Sequence, residues 1–170
     1  ASLVNWFNTK RLHQIDLFRK FPLQVQEETL TKLLAKAKST QFGKEHNFEG
    51  IDSIEKFQQN VPVSGYESFK PYIDRLRQGE ANVLWPTAIK WFAKSSGTTS
   101  DKSKFIPVSY EALEECHFRG GKDILALYTD LYPETNIFSG KGLTLGGSHQ
   151  VDKFNNQSYY GDLSAILIEN

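Results

Sequence analysis

Apolar residues recur every three or four positions over the first forty residues, the spacing that places them on one face of a helix. The two runs are Leu12, Ile15 and Phe18, then Leu30, Leu33, Leu34 and Ala37. Pro22 lies between them, and proline is tolerated at the start of a helix but not within one. The pattern therefore predicts two helices that are separated at Pro22.

A further amphipathic pattern covers Tyr66 to Gln78 and ends at Gly79, after a break at residues 60–65. Pro71 lies five residues into this pattern. Because proline disfavours the interior of a helix, the helix is expected either to begin at Pro71 or to be kinked there.

The pattern changes to strand-like alternation after Trp85–Pro86. Residues 89–93 and 104–108 alternate between apolar and polar positions, as strands do. Pro107 favours an edge or terminal position for the second strand, because proline cannot donate to a ladder. Between the two strands, residues 94–103 contain no large apolar side chain. We predict two strands joined by a polar loop.

The remainder of the chain predicts mixed α/β structure. A helix capped by Ser109 is expected to run to about Tyr128 with an interruption at Gly120–Gly121, followed by a short strand at residues 142–145. Asp162 is a good N-cap for a final helix over residues 163–170. That helix lacks a glycine cap and its apolar residues still recur at residue 170, so we expect the chain to stop inside an element.

Composition narrows the possible functions. The 170 residues carry 20 basic and 20 acidic side chains, so no overall field attracts nucleic acid or an anionic membrane. The apolar runs are far shorter than the roughly 20 residues of a membrane span. A single cysteine, Cys116, excludes an intrachain disulfide framework and a thiolate zinc site. We therefore expect a cytoplasmic protein without a metal centre.

The polar loop has the chemistry of a polyphosphate site. Hydroxyl groups occur at positions 95, 96, 98, 99, 100 and 103, and Gly97 lets successive backbone N–H groups converge on an anion. Residues 90–104 carry a net charge of +3, from four lysines and one aspartate, in a chain that is neutral overall. A solvated turn between strands fits the same composition. A Walker A loop is excluded, because it would need glycine at positions 96 and 101.

The segment Lys94-Ser-Ser-Gly-Thr-Thr-Ser100, followed by Lys102-Ser-Lys-Phe-Ile-Pro-Val108, resembles the phosphate loop of adenylate-forming enzymes. More narrowly, it is similar to the auxin-responsive acyl-acid amido synthetases of plants and their bacterial relatives, in which the lysine follows the loop at this longer spacing. Residues 61–67, 71–73, 84–86 and 140–143 match the same family in the expected order. The resemblance therefore covers most of the chain and suggests a bacterial member.

The resemblance implies a ligase that uses ATP with Mg²⁺. A carboxylic acid would be adenylated, and an amino acid would then displace AMP to form an amide. Ser95, Ser96, Gly97, Thr98 and Thr99 would contact the phosphates, and Lys104 matches the lysine of the family. Lys102 is the competing candidate for that lysine.

The resemblance also implies that this chain is an incomplete N-terminal portion of an adenylation domain, with helices packed around a mixed β-sheet. Residues 1–80 would be mainly helical, and residues 81–170 would form the strand, loop and helix region. Enzymes of this kind are about three times longer and carry their adenine and acyl-adenylate motifs downstream. We therefore expect residues 1–170 to be inactive alone and able to self-associate through exposed apolar surface.

The acid-binding position departs from the plant pattern. Plant members hold the substrate carboxylate with an arginine on the helix after the loop, and by position that residue is Asp123 here. Arg119 and Lys122 are the nearby candidates for gripping an acid, and a solvated helix face is the alternative. Two other functions remain open at this point: another adenylate-forming ligase, such as an acyl-CoA ligase, and a non-catalytic nucleotide-binding module.

Overall fold

The computed structural model describes residues 2–95, 103–143 and 150–170. The helices that precede the first strand are α1 (Ser2–Lys20), α2 (Pro22–Ala37), α3 (Gln41–Glu45), α4 (Ile54–Asn60) and α5 (Tyr66–Arg77), with a 3₁₀ turn at Phe48–Gly50. The later elements are β1 (Trp91–Lys94), β2 (Phe105–Val108), α6 (Tyr110–Ala112), a π-helix (Leu113–Phe118), α7 (Arg119–Leu131), β3 (Val151–Lys153), β4 (Tyr159–Gly161) and α8 (Leu163–Glu169). The predicted mixed α/β fold is confirmed.

The chain divides into two compact units. One comprises residues 1–29 and 111–144, and the other comprises residues 30–110 and 145–170. In the first unit, α1 packs against α7. Asn8 donates a hydrogen bond to the Thr129 hydroxyl at 3.1 Å, and the Arg11 guanidinium forms a two-pronged ion pair with the Asp123 carboxylate. Polar contacts between residues more than 100 positions apart therefore fix the register of this helix pair.

The second unit contains a mixed sheet, in which the described strands lie in the order β2-β1-β4-β3. Strands β1 and β2 form an antiparallel hairpin, with Trp91 opposite Val108 and Lys94 opposite Phe105. Strand β4 is parallel to β1 and antiparallel to β3. Pro107 lies on the edge strand β2, as predicted, where its missing N–H interrupts no interior ladder.

Helices cover the sheet on both faces. Successive residues of a strand point to opposite faces, and both Trp91 and Phe92 of β1 are buried. Phe92 belongs to a core cluster with Ile73 and Leu76 of α5, whereas the Trp91 indole donates a 3.1 Å hydrogen bond to Asn170 at the end of α8. Successive residues of β1 are therefore both buried, whereas a strand with one solvent-exposed face would alternate buried and exposed residues.

The turn between β3 and β4 closes the C-terminal end of α5. The Asn155 amide and the Ser158 hydroxyl both donate hydrogen bonds to the Arg77 carbonyl, at 2.7 and 2.6 Å. Gly79 follows with φ +89°, and a Cβ at that position would lie 2.2 Å from the Gln157 side-chain oxygen. The last carbonyls of a helix have no partner within the helix, so this turn satisfies one of them from a distant part of the chain.

The helical predictions for the first half of the chain are largely confirmed. Helix α1 ends at Lys20 and α2 begins at Pro22. Helix α5 begins at Tyr66, so Pro71 lies inside it and the alternative of a start at Pro71 is wrong. The first turn of α5 persists ahead of the proline because Tyr66 and Phe69 pack against the core cluster.

The predicted interruption of the long helix at the glycine pair is wrong. Gly120 and Gly121 lie inside α7, and a Cβ on either would meet no described atom within 4 Å. Each glycine weakens a helix by about 1 kcal/mol relative to alanine, which a packed helix tolerates. The irregularity instead precedes the pair, as the π-helix at Leu113–Phe118.

The strand predicted at residues 142–145 is not found in its described half. Residues 142 and 143 have no regular structure, and residues 144–149 lie outside the described residues. The last helix begins at Leu163 after Asp162, as the sequence predicts.

We predict that Ser158→Ala lowers the free energy of unfolding by about 1–2 kcal/mol. Ser158 is fully buried, and the substitution removes its hydrogen bond to the helix end. Urea unfolding of the protein measures the change. Ser64→Ala is the matched control, because the exposed Ser64 hydroxyl contacts only the nearby Pro62 carbonyl among the contacts described, and it should cost less than about 0.5 kcal/mol. Equal losses of unfolding free energy in the two variants would show that the hydrogen bond from Ser158 to the Arg77 carbonyl does not stabilise the protein.

Candidate functional site

The hairpin of β1 and β2 determines the geometry at the base of the polar loop. Beyond the last ladder pair, the Ser95 N–H donates a 2.9 Å hydrogen bond to the Lys104 carbonyl. The two ends of the loop are therefore held one strand spacing apart. Ser95 and Lys104 lie within the described residues. The other predicted phosphate-contacting residues, Ser96, Gly97, Thr98 and Thr99, and the competing Lys102, lie outside them.

Lys104 lies against the first residue of α5. Its exposed ammonium group is 5.6 Å from the centre of the Tyr66 ring, within the range of a cation–π contact. The Tyr66 hydroxyl accepts a 3.1 Å hydrogen bond from the Phe105 N–H and lies 3.5 Å from the Phe105 carbonyl. Tyr66 thus contacts Lys104 and the residue that follows it.

A second lysine lies at the other side of the loop base. Lys94, the last residue of β1, is exposed, and its ammonium group lies 6.0 Å from the centre of the Tyr160 ring. The hairpin therefore presents two positive charges where its loop begins and ends, Lys94 at the end of β1 and Lys104 directly before β2. Charge-assisted hydrogen bonds from such groups to an anion are roughly twice as strong as neutral ones.

The Phe105 ring fixes the hairpin base to the sheet and to α5. It packs edge-on against Phe154 and Tyr160, with ring centres 4.9 and 5.2 Å away. The Arg77 guanidinium lies 5.1 Å from the Phe105 ring and 3.8 Å from the Phe154 ring. Aromatic pairs and cation–π contacts of this kind each contribute about 0.5–1.5 kcal/mol beyond their buried area. Lys104 therefore lies directly before a well-anchored strand.

The candidate acid-binding residues lie in the other unit. Arg119 and Lys122 are exposed in the first turn of α7, directly after the π-helix. Asp123, where the resemblance implies an arginine in the plant members, accepts two hydrogen bonds from the Arg11 guanidinium. Hydrogen bonds from Arg11 hold the pKa of the Asp123 carboxyl below its usual range, and the charge of Arg119 acts in the same direction. The Asp123 carboxylate thus stabilises the packing of α1 on α7.

Sequence reasoning missed Tyr66 and Phe105 as parts of the candidate site. Residues 61–67 contributed to the family resemblance, but no local spacing connects Tyr66 with a strand 39 positions later.

No helix in the described part of the chain combines the length and the apolar character that crossing a bilayer requires.

Comparison with known proteins identifies the family. The model of the GH3 family N-terminal domain matches residues 11–170, so the chain belongs to the GH3 family. This match confirms the resemblance to acyl-acid amido synthetases.

Several similar relatives and solved structures carry synthetase names. The chain is 30% identical over 142 residues to the indole-3-acetic acid-amido synthetase GH3.2 of Arabidopsis thaliana, covering 80% of this chain and 24% of that protein. It is 29% identical over 104 residues to the jasmonoyl–L-amino acid synthetase JAR4 of Nicotiana attenuata, covering 61% and 18%. The structure of the AtGH3.15 acyl acid amido synthetase in complex with 2,4-DB matches with a TM-score of 0.70 at 27% identity, covering 86% and 25%. The chain thus spans roughly a quarter of the length of these relatives, or less.

We predict that Asp123→Asn destabilises the protein by about 1–2 kcal/mol at neutral pH, because it removes the charge that pairs with Arg11. The pKa of Asp123 is lower in the folded state than in the unfolded state. The ion pair therefore stabilises the protein above the unfolded-state value of about 4, and this stabilisation is lost as the pH falls through the folded-state value.

The difference between wild type and Asp123→Asn should accordingly shrink on acidification, which thermal unfolding over a pH series would measure. Asp16→Asn, in an exposed pair with Arg19 at 3.5 Å, is the control and should have little effect. A difference that stays constant with pH would contradict the ion-pair explanation.

Proposed function

We propose that this chain supplies the pyrophosphate side of the active site of an ATP-dependent acyl-acid amido synthetase. The observation that carries the proposal is the hairpin base, where Ser95 and Lys104 are joined by a hydrogen bond at the two ends of a loop rich in hydroxyl groups. Membership of the GH3 family supports the amido synthetase assignment over other ligases that form adenylates.

The proposed reaction has two steps. A carboxylate oxygen of the acid attacks the α-phosphorus of ATP, the bond to the β-phosphate breaks, and pyrophosphate leaves with the electron pair. The amine of an amino acid then attacks the acyl carbon, AMP leaves, and the amine loses a proton. The Mg²⁺ enters with ATP as part of the substrate, since Mg²⁺ commonly binds through substrate phosphates.

The loop contributes by holding the leaving pyrophosphate. Catalysis of phosphoryl-type transfer depends mainly on positioning and on neutralising the charge that develops. In this proposal Ser95, Ser96, Thr98 and Thr99 donate hydrogen bonds to phosphate oxygens, Gly97 permits close approach of the backbone, and Lys104 supplies the positive charge. The exposure of Lys104 supports this role, because its ammonium group is accessible to a ligand.

The acid would be gripped by Arg119 or Lys122, which are exposed cations at the start of α7. We do not assign the acid of the plant enzymes, because Asp123 stands at the position of their arginine and is bonded to Arg11. The acceptor would be an amino acid, in line with the names of the relatives.

We further propose that residues 1–170 require the rest of an adenylation domain for activity. Their share of each relative supports this proposal. So does the apolar surface of α7, on which Ile124 and Leu131 are exposed to about 70%. Surface of this kind would favour self-association of the isolated chain. We propose small-molecule substrates, with neither nucleic acid nor membrane as a partner, and the neutral overall charge supports this. The proposed place of action is the cytoplasm.

We predict that the full-length protein catalyses ATP–pyrophosphate exchange that depends on a carboxylic acid, and that Lys104→Ala lowers this exchange at least tenfold. A factor of ten corresponds to about 1.4 kcal/mol of lost transition-state stabilisation. Exchange of labelled pyrophosphate with a pool of carboxylic acids measures both. Lys38→Ala is the control, because it removes an equal charge from an exposed pair with Glu49 outside the hairpin.

Lys102→Ala tests the competing lysine in the same assay. A large loss with Lys102→Ala and none with Lys104→Ala would reassign the phosphate lysine. The absence of exchange in a folded wild-type protein, with an acid that it is shown to bind, would instead favour a non-catalytic binding module.

A further inference from the structure

We propose that Tyr66 is a positioning residue for adenylation, acting through Lys104. This inference rests on the proposed function, because it assigns a role only if Lys104 binds the phosphates of ATP. The Tyr66 hydroxyl fixes the backbone at Lys104, and the Tyr66 ring orients the ammonium group. Both contacts come from one side chain at the start of α5.

The backbone contact acts on a single peptide group. The peptide bond between Lys104 and Phe105 contributes the Lys104 carbonyl and the Phe105 N–H. The carbonyl accepts from the Ser95 N–H at 2.9 Å, and the N–H donates to the Tyr66 hydroxyl at 3.1 Å. The peptide plane is held by partners on both of its edges, which restricts the backbone torsions on either side of it. The Cα of Lys104 is therefore held in place relative to Ser95 and to the start of α5.

The ring contact acts on the side chain. An exposed lysine has several rotatable bonds and loses rotamer entropy when its ammonium group is fixed on a ligand. The Tyr66 ring, 5.6 Å from the Lys104 ammonium, favours the conformations that keep this group beside the loop base. Exposed cation–π contacts are weak enough to leave the charge available to a phosphate. Tyr66 would thus reduce the entropy lost on binding without neutralising the lysine.

Tyr66 is itself held rigidly. It is the first residue of α5 and packs against the core cluster that contains Ile73, Leu76 and Phe92. A binding group is positioned most accurately when the residue supporting it lies on a packed helix or strand. The placement of Tyr66 on a helix, facing a lysine on a hairpin, meets this condition.

The experiment is a double-mutant cycle in the full-length protein. Tyr66→Phe removes the hydrogen bonds and keeps the ring, whereas Tyr66→Leu removes both contacts. Each is made in the wild-type and the Lys104→Ala backgrounds, and ATP–pyrophosphate exchange is measured over a range of ATP concentrations. Tyr66→Phe should lower exchange about three- to tenfold, the equivalent of one neutral hydrogen bond, and Tyr66→Leu should lower it further.

The cycle separates positioning from general support of the fold. If Tyr66 acts through Lys104, the Tyr66 substitutions should change exchange less than about twofold once Lys104 is alanine, because the effects of coupled residues are not additive. Tyr72→Phe is the matched control. Tyr72 lies on the same helix and its hydroxyl bonds to Glu45, away from the hairpin, so this variant should lower stability without changing exchange.

The outcomes are distinct. Losses of equal size in both backgrounds would overturn the positioning role while leaving the proposed function intact. Full exchange in Lys104→Ala would overturn the proposed role of Lys104, and this inference with it. If Tyr66→Leu fails to fold at the assay temperature, Tyr66→Phe completes the cycle alone. Unchanged exchange in Tyr66→Phe together with a lowered melting temperature would then overturn the role of the hydroxyl.

Discussion

The candidate site depends on the peptide group between Lys104 and Phe105, which is hydrogen-bonded on both edges. On one edge the Ser95 N–H closes the hairpin, and on the other the Tyr66 hydroxyl joins the hairpin to α5. A ligand binds more tightly when the groups that contact it are already held in position, because less conformational freedom is lost. These two hydrogen bonds hold the two ends of the loop together and fix the backbone at Lys104.

The surrounding packing maintains that arrangement. Phe105 continues the hairpin into an aromatic cluster with Phe154 and Tyr160, and Arg77 lies against the same cluster. The turn that contains Ser158 bonds to the carbonyl of Arg77, so the end of α5 and the far strands of the sheet are joined. The start of α5 therefore bonds to the hairpin, while the end of α5 bonds to the turn between the last two strands. Helix α5 therefore connects the hairpin to the turn between β3 and β4.

Membership of the GH3 family and the geometry of the hairpin both support the proposal of an amido synthetase with a phosphate-binding loop. The chain belongs to the GH3 family, and the relatives named above are amido synthetases. The structure adds the physical arrangement at the loop base, with Lys94 and Lys104 presented beside tyrosine rings. At Asp123, where the resemblance implies an acid-binding arginine in the plant members, the carboxylate pairs with Arg11 in the packing of α1 on α7.

Local patterns in the sequence were sufficient to predict the helices on either side of Pro22, the two hairpin strands and the edge position of Pro107. Helical and strand periodicities, and the missing N–H of proline, act over a few residues and need no knowledge of the rest of the fold. The composition of the loop predicts a phosphate-binding site. Local reasoning failed at Gly120–Gly121, because the cost of two glycines is small beside the packing of α7 on α1.

Only the tertiary structure decided which residues support the loop. Tyr66 meets Phe105 across 39 positions, and Arg11 meets Asp123 across 112. Such contacts depend on how helices and strands pack, and many pairings of tyrosines or charges are equally compatible with the same sequence spacing. The sequence by itself therefore determined the helices on either side of Pro22 and the two hairpin strands, and it predicted a phosphate-binding loop between those strands. The packing of α5 against the hairpin decided where Lys104 is held, because a hydrogen bond between distant residues forms only once the chain has folded around both.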